Sequence, residues 1–195
     1  GWIVSAYMPQ ELEPSSGNAV ATATPEIAGK YTIIDSNRKL HKVDAIIKDP
    51  ELALTYWRIR ADSLPVKDFT NFNNVETGNL AVVVGWQEPH LVTTISGKTS
   101  QTSTGPVYSS DEFYGTFNVF PGIDSPGPAG NFALNLNGGL VGIVADNNSV
   151  LSTTNFRPLL ASLFESRNLK RAALGINYVS LSEMARPGRI YEQQN

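Results

Sequence analysis

A chain of 195 residues can bury one sizeable core and little more. Its 41% hydrophobic and 17% charged residues describe a folded, lightly charged protein, and a net charge of −3 with no basic run argues against a nucleic-acid partner. The absence of cysteine excludes disulfides, thiol nucleophiles and cysteine metal sites. The longest apolar runs, such as "LAVVVGW", fall far short of the roughly 20 residues that span a bilayer.

The chain opens at Gly1 on "GWIVS" and reads as a processed or excised piece, so that membrane contact is expected only through a segment outside it. From there to about Ala145, short apolar or alternating runs follow one another. They include "NAVATAT", "KYTIID", "KVDAII", "LALTYWRIR", "LAVVVGW", "HLVTTISG", "GTFNVF", "FALNLN" and "GLVGIVAD". Val, Ile, Thr and aromatic residues dominate them, which suits pleated, half-buried strands. Turn-formers such as "DSN", "KDPE" and "DSPGPAG" separate the runs. Thr94 to Ser110 is rich in Ser, Thr and Gly and reads as a loop. Asn137-Gly138 joins two strand candidates as a hairpin.

One helix is predicted after Asn155 as its cap. Phe156, Leu159, Leu160, Leu163 and Phe164 form one apolar stripe, Pro158 falls in the first turn, and Lys170 and Arg171 suit the negative end. The rest, through "GINYV", reads as a linker with one more strand. The expected division is a main domain over 1–165 and an incomplete piece over 166–195.

The order of these segments resembles the HtrA/Deg-type trypsin-like serine proteases over roughly the whole chain. "GWIVS" is similar to that family's opening strand, and "KYTIIDSNRKLHKVDAIIKDPELAL" to its strand–turn–strand unit before "DP…DLA". "LNLNGGLVGIV" is similar to its late hairpin, and "FRPLLASLFESRNLKRAALGINY" to the helix that leads to a PDZ domain. The resemblance implies an all-β fold, a chymotrypsin/trypsin-like double six-stranded β-barrel with a C-terminal helix, and an extracytoplasmic setting in the periplasm or cell envelope. It also implies His, Asp and Ser in that chain order, because serine needs a base and the base needs an orienting carboxylate.

Thr24 in "VATATP" stands where the resemblance places the histidine, Glu51 in "DPELAL" where it places the aspartate, and Ala129 in "PGPAGNF" where it places the serine. Three such substitutions predict a degenerate triad and a chain that is not an enzyme. The loop is expected to be structural, ahead of the alternative that the main-chain N–H groups of Gly127 and Ala129, where the resemblance places the oxyanion donors, still form an anion or carbonyl site.

A second reading assembles His41, Asp49 and Ser125 as a shifted triad. A third reuses the cleft for a metal or an anion, with His90 and Glu88 in "WQEPH" as one pair of ligands. The first reading prevails, with no cofactor and no metal. It predicts a module that binds a protein or peptide, with an active HtrA-type homologue or a homo-oligomer among the expected partners.

Overall fold

The computed structural model describes residues 1–7, 9–12, 20–61, 68–85, 91–101, 108–109, 114–119, 130–146, 149–171 and 174–179. The N-terminal half contributes β1 (Trp2–Ser5), β2 (Ala21–Thr22), the one-turn helix α1 (Pro25–Ala28), β3 (Thr32–Ile34), β4 (Leu40–Asp49) and β5 (Leu54–Ile59). All pairings here are antiparallel. The sheet order is β1-β5-β4-β2, and β3 pairs the first residues of β4.

The C-terminal half begins with β6 (Leu80–Val84), β7 (Leu91–Gln101), β8 (Tyr108–Ser109) and β9 (Tyr114–Val119). It continues through β10 (Phe132–Asn135), β11 (Leu140–Asp146), β12 (Ser149–Ser152) and α2 (Thr153–Ser166). Six of these strands close a barrel in the order β10-β11-β12-β9-β7-β6. The last strand, β13 (Asn177–Tyr178), pairs β8. The chain therefore has the all-β, trypsin-like architecture with a C-terminal helix that the sequence predicts.

Burial explains why β5 does not alternate. Its Leu54, Tyr56 and neighbours are buried on both faces of the sheet. One face packs Val43, Ile46, Trp57 and Ile59 within the N-terminal half. The other presents Ile47, Leu54 and Tyr56 to Ile143 and Leu151 of the barrel and to Phe156, Leu159 and Leu163 of α2. A strand covered on both sides reads as a continuous apolar run. The barrel interior holds a third cluster around Val83, Ile95, Phe117, Ala133 and Val144.

Three local expectations are revised. The loop expected over Thr94–Ser110 is strand as far as Gln101 and again at 108–109, since Thr and Ser fit a pleated edge as readily as a loop. The helix is capped by Ser152, whose Oγ accepts the Thr154 N–H at 3.3 Å, so it starts before Asn155. Asn155 instead brackets Gly115, accepting its N–H at 2.9 Å and donating to its carbonyl at 2.7 Å. Pro158 consequently lies inside α2, beyond the first turn. Phe164 leaves the stripe and is 66% exposed.

The Asn137-Gly138 hairpin forms as expected. Gly138 takes φ +77°, which favours glycine, and Asn135 Oδ1 accepts the N–H groups of Asn137 and Gly139 at 3.0 and 2.8 Å.

Candidate functional site

Thr24 follows β2, whose register sets Ala21 against Lys48 and Thr22 against Ile47. Its backbone is extended and its Oγ1 accepts the Ile27 N–H at 3.4 Å, with Pro25 at the first helical position. Threonine at 24 thus acts as a helix cap, a role its hydroxyl suits.

Glu51 lies in the turn between β4 and β5. Arg171, just past α2, bridges two carboxylates there: its Nη1 is 3.0 Å from Glu51 Oε2 and its Nη2 is 2.6 Å from Asp49 Oδ2. Asp49 is fully buried and also accepts the Leu52 N–H at 3.4 Å. Burial pushes its carboxyl above the ordinary value, and the Arg171 charge opposes that rise. The hydroxyl of Tyr56 is buried with no hydrogen-bond partner among the described residues. Burial, and then the Asp49 charge, push its pKa up. Arg171, expected to serve only the helix end, instead fastens the C-terminal segment to the N-terminal sheet. No signal in the sequence pairs it with a carboxylate 122 positions away.

The strand register separates Thr24 from Glu51. The chain at Thr24 runs toward the middle of β4, whereas Glu51 follows its far end. Ala45 and Asp49 alone are about 13 Å apart at strand rise.

The shifted triad is corrected by the same arithmetic. His41 and Asp49 stand at opposite ends of β4, about 26 Å apart. His41 is buried with its Nε2 3.0 Å from Asp35 Oδ2, and Asp49 is held by Arg171. Each carboxylate already has its own cation or ring, so neither His41 nor Asp49 can serve the other. Ser125, Gly127, Ala129, Glu88 and His90 lie outside the described residues.

What is described is the C-terminal flank of the loop that carries Ala129. Gly130 has φ +99°, and its N–H donates to Val144 O at 2.8 Å. The Val144 N–H donates to Asn131 O at 2.8 Å. The β10–β11 ladder thus extends to Gly130, whose left-handed backbone favours glycine. A Cβ on Gly130 would stand 3.2 Å from the Ala6 Cβ, so the two halves touch at this point. The Asn131 amide covers Gly85, where a Cβ would come within 2.9 Å of its Oδ1, Nδ2 and Cγ. Phe132 stands on the outer barrel face opposite Val84 and Ile143, 38% exposed, while Ala133 points into the core.

No protein-family model and no curated protein matches the chain. Solved structures do match in fold. A variant of the HtrA-type protease AlgW with tripeptide superposes with a TM-score of 0.51 at 15% identity, covering 78% of this chain and 55% of that one. AlgW with decapeptide gives a TM-score of 0.50 at 15% identity, with 77% and 50% covered. Deg5 gives 0.50 at 14% identity, with 77% and 80% covered. The chain spans about half the length of the AlgW chains, and the likeness shows the HtrA-type, trypsin-like fold.

These findings correct the expectation that the chain is not an enzyme. The AlgW structures that it resembles in fold are structures of HtrA-type proteases.

Proposed function

We propose that the chain is a protein- or peptide-binding module of HtrA-type fold, and that it binds at the junction of its two halves. The observation that carries this reading is the meeting of Ala6, Gly85, Gly130 and Asn131, where residues of both halves come together beside one neutral amide. Glycine at 85 and 130 lets Asn131 and Ala6 approach the backbone closely, and the half-buried Asn131 amide is the polar group presented where the halves meet. The peptides named with the two AlgW structures support the same class of ligand.

The partners are proposed as proteins or peptides, including an active HtrA-type homologue or a second copy of the chain. Tyr7, 60% exposed and stacked on Trp57 at 6.0 Å between centroids, offers a rigid aromatic contact for such an assembly. Among the described residues no helix is long and apolar enough to cross a membrane. The proposed setting is extracytoplasmic, by the same resemblance.

The test is selection of a phage-displayed random decapeptide library on the chain, followed by fluorescence anisotropy of the enriched peptides. Micromolar binding that falls at least tenfold in Asn131→Trp is expected, because a bulky ring there removes the amide and crowds the meeting of the halves. Equal binding to the variant would refute the proposed location, and the absence of enriched peptides would refute the function. Cleavage of a bound peptide would add chemistry to this reading without removing it.

A further inference from the structure

The barrel ends, on the side away from Gly130, in a cavity of about 240 Å³. The strands define that side: β6 runs from Leu80 at the cavity to Val84 beside Phe132, and β10 runs from Phe132 to Asn135 at the cavity. Its floor is Val75, Ala81, Ile95 and Val141, all buried. Its rim carries the exposed amides of Asn74, Asn79 and Asn137 with the exposed side chains of Leu80 and Leu136.

The rim amides have unused capacity. Asn79 Oδ1 accepts the Glu76 N–H at 2.9 Å, but its Nδ2 has no partner among the described residues. Asn74 and Asn137 make only main-chain bonds there. The wall behind them is fixed. Asn135 Nδ2 donates to Thr70 Oγ1 at 3.1 Å, and the Thr70 N–H donates to Leu140 O at 2.8 Å. The wall of the site is therefore preorganised, while the rim amides remain available to a ligand.

We propose that this cavity is a recognition site, separate from the junction of the halves, for one uncharged apolar side chain of an extended peptide. Asn74, Asn79 and Asn137 bond the peptide main chain on either side of it. Size supports this occupant: a cavity of about 150 Å³ takes a benzene ring, whereas small-molecule sites begin at about 300 Å³. Charge supports it too, because among the described residues no charged side chain lines the cavity to compensate an ionised group. Topology completes the case. A closed barrel has no free edge for the peptide to join as a strand. Side-chain amides, each both donor and acceptor, take the place of that edge.

The test is an NMR titration of the ¹⁵N-labelled chain with acetyl-Ala-Ala-Leu-Ala-Ala-amide. Parallel titrations use the peptides with Asp or Lys in place of Leu, and N-acetylglucosamine. Saturable shifts are expected at the side-chain amides of Asn74, Asn79 and Asn137 and at Ala81, with the charged peptides at least tenfold weaker. A doubly substituted Asn74→Asp, Asn137→Asp chain with an unchanged melting temperature should also bind at least tenfold more weakly. Equal affinity for the Leu and Asp peptides, no shifts at the rim, or shifts with the sugar alone would each overturn the assignment. Asn131→Trp separates the two sites. Rim binding that survives this variant while decapeptide binding is lost supports both, and each failure is read on its own reporters.

Discussion

Two aspartates illustrate how opposite environments act at the scale of single residues. Burial raises the Asp49 carboxyl, so the folded chain holds that proton more tightly than the unfolded one. Its contribution to stability is therefore greatest below the ordinary carboxylate value of about 3.9 and declines as pH rises through the folded value. Asp35 is the reverse case. Hydrogen bonds from His41 and from the Lys39 and Asn37 N–H groups lower its carboxyl, so its contribution is present above about 3.9 and is lost in acid. Between about pH 3 and about pH 7, urea midpoints should shift in favour of Asp49→Asn and against Asp35→Asn relative to wild type. Parallel shifts in the two variants would refute this assignment. Arg171→Met strands a buried carboxylate and should cost about 3 kcal/mol in urea denaturation at neutral pH. A loss within about 0.5 kcal/mol, typical of surface sites, would show that the bridge carries no stability.

At the scale of elements, Gly142 sits in β11 where a Cβ would stand 2.2 Å from the Leu151 carbonyl oxygen of β12. Gly142→Ala should therefore lower stability by about 3 kcal/mol, because one barrel strand must move. In α2, Leu163→Ala should cost about 3 kcal/mol and Phe164→Ser less than about 0.5 kcal/mol by thermal unfolding, since only the first side chain is buried. The apolar stripe was legible in the sequence, but its last member was not. Phe164 has the right spacing and the wrong side of the helix to reach the β4–β5 face. The cap was misread for a physical reason as well: "SVLSTTN" offers four consecutive residues able to accept a helix N–H, and only packing selects Ser152. The hairpin was legible because Asn-Gly supplies the left-handed position that the turn needs. The amide rim was not, since Asn74, Asn79 and Asn137 all read as turn residues until the barrel brings them round one cavity.

At the scale of the molecule, the strand runs and turn spacing were enough to anticipate an all-β fold, because alternation reports burial directly, while the trypsin-like architecture followed from the resemblance in segment order. How the halves meet was not, because it depends on contacts distant in sequence: Tyr56 against α2, Ala6 against Gly130, and Arg171 against Asp49. Of the residues that the sequence singles out, Thr24 and Glu51 have local tasks in the structure, a cap and an ion pair. The neighbouring amide of Asn131 emerged only from the fold. Anisotropy of a library-selected decapeptide, measured on wild type and Asn131→Trp side by side, tests binding at the junction most directly. Saturable micromolar binding that weakens at least tenfold in the variant is predicted, and identical affinity in the two proteins would contradict it.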